Sequence, residues 1–178
     1  MPRYSKAKIN QLLNIWDTGA NTAVRGKAFE ELSRYLFSKV PGVKVTSWNA
    51  MNSFETEEID VACSYVQHPK GLRDLGGFFI VECKGWENPV GSEQVSWFIT
   101  KIKHRGVSFG VLFAANGITG LEGHLENSHF LVAMALADKV KMVIVTRQEI
   151  EPLNTGEELA ALIIEKVTRL HATGGRCY

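Results

Sequence analysis

A glutamate and a lysine stand two residues apart at the end of an apolar run, in residues 78–86 (FFIVECKGW). Side chains alternate along a β-strand, so Glu82 and Lys84 are expected on one face and Cys83 on the other. Charges are rare in a buried strand unless they have a partner or a function. A carboxylate beside an ammonium group could hold a divalent cation and an activated water, and Glu-x-Lys occurs nowhere else in the 178 residues.

Asp60 supplies a second carboxylate, because a hairpin whose turn centres on Gly71 would place it opposite Glu82. Cross-strand neighbours lie about 4.5–5.5 Å apart at Cβ, and two ionised carboxylates that close repel unless a cation separates them. Mg²⁺ takes one or two carboxylates, keeps several waters and accepts phosphate oxygens. Lys84 could orient the attacking water, deprotonate it with a pKa lowered by desolvation, or neutralise transition-state charge. The structural alternative is a buried ion pair of Lys84 with Glu82 or Asp60.

Hydrophobic periodicity and turn residues predict the elements that position these side chains. The loop 68–77 is rich in turn formers, so the strands on either side of it should form an antiparallel hairpin. Capping-box patterns at Thr119-x-x-Glu122 and Thr155-x-x-Glu158 mark two helix starts. The predicted helices are 4–16, 22–38, 93–104, 120–138 and 155–171, and the predicted strands are 43–48, 58–66, 78–84, 107–114 and 142–146.

Strands that first pair as a hairpin and then alternate with helices predict an α/β fold with a mixed central sheet flanked by helices. No linker divides the chain, so we expect one domain over 1–178. It would comprise an N-terminal helical extension over 1–20, a core over about 22–146 and a C-terminal helix over about 155–171.

Composition sets broad limits on function. A net charge of +1 means that any nucleic-acid surface must come from a local patch. No apolar run approaches the roughly 20 residues of a membrane helix, and the N-terminus has no apolar signal core. Three irregularly spaced cysteines predict free thiols in a cytoplasmic protein rather than a disulfide framework.

Several short motifs together resemble the PD-(D/E)xK nuclease superfamily and, within it, the Mrr-like restriction endonucleases. The resemblance spans roughly residues 22–146, and its motifs are moderately specific one by one but good in combination. It implies a restriction-endonuclease-like fold with an α-β-β-β-α-β core. The matching segments are 26–32 (GKAFEEL), 58–61 (EIDV), 81–86 (VECKGW), 88–91 (NPVG) and 110–119 (GVLFAANGIT).

The resemblance implies a metal-dependent endonuclease that hydrolyses DNA phosphodiester bonds, with Mg²⁺ as cofactor and Mn²⁺ as a possible substitute. By position in the motifs, Asp60 and Glu82 would be metal ligands and Lys84 the catalytic lysine. Glu30 would be the helix glutamate that completes the metal site, and Gln94 would lie near it at the start of the following helix.

The first-helix assignment has an alternative, because Glu31 is adjacent to Glu30 and neither lies at the centre of the apolar helix face. We favour Glu30 because it directly follows Phe29, as in the family pattern. Either carboxylate could instead be a solvated helix charge, for example Glu30 paired with Arg34 at i+4.

The helix over 93–104 carries the predicted nucleic-acid contacts. A polar stripe lies opposite its apolar face and could follow a phosphate backbone, although it could equally be an ordinary solvated face. A smaller basic cluster lies at residues 3, 6 and 8. The residues predicted to contact DNA are Trp97, Lys101, Lys103, His104 and Arg105, and Gln94 lies on the same stripe.

Two functions from different classes therefore remain. The first is a Mg²⁺-dependent endonuclease acting on DNA in restriction and defence, in repair or in junction resolution, with RNA as a further possible substrate. By analogy it would act as a homodimer, and a separate partner could supply sequence specificity. The second is a non-catalytic nucleic-acid-binding or assembly module that retains the fold.

Overall fold

The computed structural model describes residues 3–52, 57–73, 75–120 and 127–174. None of the helices described in these ranges is both long and apolar enough to cross a membrane. In chain order the elements are α1 (Lys6–Thr18), α2 (Thr22–Phe37), β1 (Val43–Met51), β2 (Glu58–Tyr65), β3 (Phe78–Lys84), α3 (Ser92–His104), β4 (Phe109–Ala114), α4 (Asn127–Ala137), β5 (Lys141–Val145), α5 (Arg147–Ile150) and α6 (Gly156–Thr173).

The strands form one mixed sheet in the order β1-β2-β3-β4-β5. The first three strands are antiparallel, and β3, β4 and β5 are parallel, which confirms the predicted mixed α/β sheet. One apolar core lies mainly between the sheet and the helices α1, α2 and α6. The second core lies on the other face, under α3 and α4. Strand β3, which carries the Glu-x-Lys motif, is therefore central and covered on both faces.

The hairpin register is the feature on which the site prediction depends. The β2–β3 ladder joins Ser64 to Phe78 and ends with Val61 opposite Val81. This register confirms the predicted centre at residue 71. Asp60 and Glu82 thus follow directly after the last paired residues, at the end of the hairpin away from its turn.

The structure corrects several predicted boundaries by two or three residues, among them the end of β1, which runs to Met51 rather than to Trp48. Strand β4 begins at Phe109 rather than at Val107, because Gly106 adopts a positive φ of 63° and the Val107 N–H closes the end of α3 on the Ile102 carbonyl at 3.3 Å. The short helix α5 was not predicted, although Thr146 and Glu149 form a capping box there.

The predicted helix over 120–138 can be compared only from Asn127 onwards, because residues 121–126, with the expected capping residue Glu122, lie outside the described residues.

Two glycines give a test of the packing. A Cβ at Gly156, the first residue of α6, would lie 1.9 Å from the Lys39 carbonyl oxygen, which is backbone and cannot move away easily. We expect Gly156→Ala to lower the free energy of unfolding by about 3 kcal/mol.

A Cβ at Gly26, inside α2, would meet nothing within 4 Å. We expect Gly26→Ala to raise stability by about 0.5–1 kcal/mol. Urea unfolding of both variants measures the difference, and similar values for the two would contradict this packing.

Candidate active site

Asp60 closes the open end of the β2–β3 hairpin with its side chain. Its Oδ2 accepts a hydrogen bond from the Cys83 backbone N–H at 2.6 Å. The carboxylate therefore takes the place of a backbone carbonyl directly after the last ladder pair, and β3 continues past β2 without losing a hydrogen bond. The charge of Asp60 is thereby fixed beside the chain between Glu82 and Lys84.

Glu82 lies on the α3 side of the sheet and is only 4% exposed. Its Oε1 lies 2.9 Å from the Lys84 Nζ, so the ion pair expected as the structural alternative is present. Lys101 of α3 adds a second ammonium group, 3.0 Å from Oε1 and 2.8 Å from Oε2. Cys83 belongs to the core on the opposite face, which confirms the predicted alternation.

The Lys101 contacts correct one sequence prediction. Lys101 was expected to face solvent and contact phosphate, but it is 5% exposed and also donates to the Glu58 carbonyl at 2.8 Å. Its ammonium group therefore forms an ion pair with Glu82 inside the protein. The helical pattern gave only a weak signal for this, since Lys101 lies at the boundary between the polar and apolar faces of α3, from which a long side chain can reach inward.

The two neighbouring glutamates of α2 have different surroundings. Glu31 accepts from Lys8 at 3.3 Å and pairs with Arg34, so the expected alternative of a Glu30–Arg34 pair is not formed. Glu30 lines a cleft of about 580 Å³ together with Asp60 and Lys84. Glu30 therefore lies in one cleft with both Asp60 and Lys84, whereas Glu31 lines a neighbouring cleft that holds Asp60 but not Lys84.

Electrostatics in this cleft are dominated by burial and by neighbouring carboxylates. Burial, and then the charge of Glu82, raise the pKa of Asp60 to about 7. Burial also raises the pKa of Glu30, while a hydrogen bond from the Asn49 side chain opposes the shift. Burial alone would lower the pKa of Lys84, but Glu82 outweighs it and the pKa is raised. This is opposite to the lowered value expected for a base, so Lys84 is held as an ammonium group.

The donor set fits a hard divalent cation in its chemistry, although the described residues contain no group of three or more His, Cys, Asp or Glu side chains already gathered around one point. Asp60, Glu82 and Glu30 offer the oxygen ligands that Mg²⁺ prefers. A carboxylate has about four acceptor positions, and the contacts to Lys84 and Lys101 use three of those on Glu82. Its Oε2 retains room for one more partner.

Gln94 lies half-buried in the first turn of α3. Its side-chain Oε1 turns back toward Gly91, 3.3 Å from where a Cβ would stand on that residue. Within the described part of the chain, Gln94 makes no hydrogen bond to Asp60, Glu82 or Lys84.

The predicted basic cluster of α3 is largely neutralised by carboxylates from distant parts of the chain. Lys103 pairs with Asp138 at 2.6 Å, and the His104 Nδ1 lies 2.7 Å from the Glu57 Oε1. Arg105 donates to the Glu57 backbone carbonyl at 3.0 Å. Trp97 of the same helix is 48% exposed.

Two supporting contacts were missed by sequence reasoning. Trp16 of α1 donates from Nε1 to the Gly85 carbonyl at 2.7 Å and so holds the chain immediately after Lys84. Asn49 adopts a positive φ of 47° inside β1, which brings its amide to Glu30. A left-handed asparagine in a strand leaves no pattern that separates it from an ordinary strand residue.

The raised pKa of Asp60 makes stability depend on pH. Because the folded value of about 7 lies above the ordinary value of 3.8, folding favours the protonated form. The ionised side chain therefore destabilises the folded state progressively from about pH 4 to pH 7. Asp60→Asn keeps an acceptor for the Cys83 N–H. With chelator present, it should be more stable than wild type by on the order of 4 kcal/mol at pH 8 and nearly equal at pH 4.

Urea unfolding between pH 4 and 8 measures this difference. As a control, Glu31→Gln removes a carboxylate of α2 that is paired near the surface, and should change stability by less than about 1 kcal/mol. A stability difference between Asp60→Asn and wild type that is the same at pH 4 and pH 8 would show that the carboxylate is not buried as described.

Lys101 gives a second test, because removing it leaves Glu82 with one ammonium group instead of two. We expect Lys101→Met to lower the free energy of unfolding by about 2–4 kcal/mol. Lys103→Met is the matched control on the same helix, and its surface pair should be worth under about 1 kcal/mol. In a double-mutant cycle with Glu82→Gln, a coupling energy above about 1 kcal/mol is expected, and additive effects would contradict the buried pair.

Comparisons with known proteins place the chain in a family. Residues 22–151 match the Mrr-type restriction endonuclease family model, which spans α2, the hairpin and the strands that follow it. No curated protein sequence matches the chain. Among solved structures, the DNA modification-dependent restriction endonuclease AspBHI aligns with 98% of this chain at 18% identity and a TM-score of 0.45, and the chain spans 43% of that protein's length.

The family match covers most of the chain and contains Glu30, Asp60, Glu82 and Lys84. The chain therefore belongs to the Mrr-like restriction endonucleases of the PD-(D/E)xK nuclease superfamily.

Proposed function

We propose that the chain is a Mg²⁺-dependent endonuclease that hydrolyses DNA phosphodiester bonds. The observation that carries the proposal is the cleft lined by Glu30, Asp60 and Lys84, with Glu82 directly against Lys84. Three carboxylates and one ammonium group at the end of a hairpin form a set that can bind a cation and a phosphate together. Membership of a restriction endonuclease family supports the same reaction class.

The proposed roles follow from charge and position. Asp60 and Glu82 would hold the divalent ion, with Mn²⁺ able to replace Mg²⁺, and Glu30 would complete the site or accept a hydrogen bond from the attacking water. Lys84, held as an ammonium group by Glu82, would donate to a phosphate oxygen and stabilise the negative charge that develops in the transition state. One ion or two, when bound, would polarise the phosphate and lower the pKa of the water.

The remaining proposals concern partners. The basic residues Lys103, His104 and Arg105 would touch DNA only by exchanging their present carboxylate partners for phosphates, and the exposed Trp97 would contact DNA beside them. Double-strand cleavage would need a homodimer, and sequence specificity would come from loops or from a separate protein. The free thiols of Cys63 and Cys83 favour a reducing, cytoplasmic location.

One observation favours the second candidate function, a nucleic-acid-binding module without catalysis. Glu82 is already neutralised by Lys84 and Lys101, so it needs no metal ion to be stable in its buried position. In such a module, the ion pairs of Glu82 with Lys84 and Lys101 would stabilise the fold and take no part in catalysis. Activity and metal binding separate the two functions.

Plasmid nicking tests the nuclease. Wild type should convert supercoiled to open-circular DNA with Mg²⁺ or Mn²⁺ and not with chelator. Asp60→Asn and Lys84→Met should each reduce the rate at least about 100-fold, because one removes a ligand charge and the other the phosphate donor. Asp138→Asn and Lys70→Met are charge-matched controls away from the cleft and should retain the rate.

The two negative outcomes have different meanings. Nicking that persists in both cleft variants would remove the active-site assignment. If no duplex, single-stranded or branched DNA is cut and calorimetry detects no Mn²⁺ binding, the non-catalytic module is the correct function.

A further inference from the structure

The cleft at Asp60 opens into a longer groove along α2. It shares Glu30 and Asp60 with a second cleft of about 170 Å³, which is lined on its far side by Trp48. That second cleft shares Trp48 and Arg34 with a third of about 310 Å³. We call these three connected clefts the α2 groove. It runs from the segment after β3, past the carboxylates, to β1.

Two tryptophans lie on opposite sides of the carboxylates in the α2 groove. Trp86 lines the cleft that holds Lys84 and is 44% exposed, and Trp48 lines the other two clefts and is 55% exposed. Each ring has a cation over it, Lys84 at 5.6 Å from the Trp86 centroid and Arg34 at 4.7 Å from that of Trp48. A half-exposed indole presents a flat apolar face on which a planar ligand can stack.

The Trp86 segment is held in place by its backbone. The Gly85 carbonyl accepts from Trp16 at 2.7 Å, and the Asn116 side chain donates to the carbonyls of Trp86 at 2.8 Å and Glu87 at 3.1 Å. Trp48 is held by pairing with Val61 in the sheet. Both rings thus project from ordered backbone, which lowers the entropy cost of binding a flat partner.

The groove's cations do not form a strongly basic surface. Lys8 and Arg34 pair with Glu31, and Arg25 pairs with Glu87 at 2.7 Å. The electrostatic attraction for a polyanion is therefore modest. The uncharged aromatic faces are the part of the groove that would contribute most to the free energy of ligand binding.

We propose that the α2 groove binds an unpaired stretch of a DNA strand, whose bases stack on Trp48 and Trp86 on either side of the carboxylates. The inference rests on the proposed nuclease function, because it identifies the substrate conformation taken by that same site. In a duplex, neighbouring base pairs cover the faces of each base. A protein ring can stack only on a base that is flipped out, terminal or in a single strand.

Binding measured in chelator, where cleavage cannot occur, tests the proposal with the full chain. The probes are a fluorescein-labelled oligothymidylate of about 12 nucleotides, the corresponding duplex, and a duplex with an unpaired bulge. Wild type should bind the single strand and the bulge at least about tenfold more tightly than the duplex. Trp48→Ala and Trp86→Ala should each weaken single-strand binding about tenfold, as expected for the loss of one stacked base.

Phe130→Ala is the matched control, because Phe130 is an aromatic residue of similar exposure, 47%, but lies on α4, outside the residues that line the groove. It should bind like wild type. Trp48→Phe and Trp86→Phe keep a ring and should restore most of the affinity. The alanine variants should also leave the salt dependence of binding unchanged, since they remove no phosphate contact. Thermal melts of all variants confirm that they are folded.

Equal binding of duplex and single strand, or an equal loss in Phe130→Ala, would overturn the proposal. Tighter binding of an RNA of the same length would show that the unpaired strand is RNA rather than DNA. The plasmid assay keeps the two proposals separate. Nicking by wild type combined with unaltered binding in Trp48→Ala and Trp86→Ala rejects only the stacking groove. The expected tryptophan pattern without any nicking rejects only the nuclease.

Discussion

The buried charge of Glu82 is the constraint on which the arrangement of this site depends. An isolated carboxylate at 4% exposure would destabilise the fold by several kcal/mol, so ammonium groups must reach it. Lys84 does so from the same strand, and Lys101 does so from α3. Because Lys101 also donates to the Glu58 carbonyl at the start of β2, one buried amine connects α3 with both strands of the hairpin. The position of α3 across the sheet is therefore coupled to the geometry of the motif.

The second constraint is the end of the β2–β3 ladder. Backbone pairing ends at Val61 and Val81, and Asp60 accepts the next N–H of β3 with its side chain. A carboxylate used as a backbone acceptor is ordered without a side-chain partner of its own. It is then buried close to other carboxylates, and burial, followed by the charge of Glu82, raises its pKa. The repulsion between Asp60 and its neighbouring carboxylates therefore occurs where the two strands separate and a cleft opens.

Sequence patterns predicted the sheet and the hairpin well because their signals are local. Alternation along β3 separates Glu82 from Cys83, and the turn-forming loop sets the register that brings Asp60 to the same end. The contacts of α3 were not predictable in this way. His104 meets Glu57, which is 47 positions away, and Lys103 meets Asp138, which is 35 positions away. A helical wheel separates polar from apolar faces, but it cannot tell which polar residues will find a buried carboxylate.

These long-range pairs change where nucleic acid can be attracted. Counting Lys101, Lys103, His104 and Arg105 as free cations assigns the phosphate contacts to α3, yet the fold uses that charge for its own carboxylates. With a net charge of +1, the chain has little basic surface to replace it. The cleft itself, lined by the carboxylates of Glu30, Glu58, Asp60 and Glu87, repels a phosphate backbone until a cation neutralises it. Uncharged aromatic faces beside such a cleft attract a strand without depending on that neutralisation. For this reason the proposed path of the substrate follows the half-exposed indoles rather than the density of lysine and arginine in the sequence.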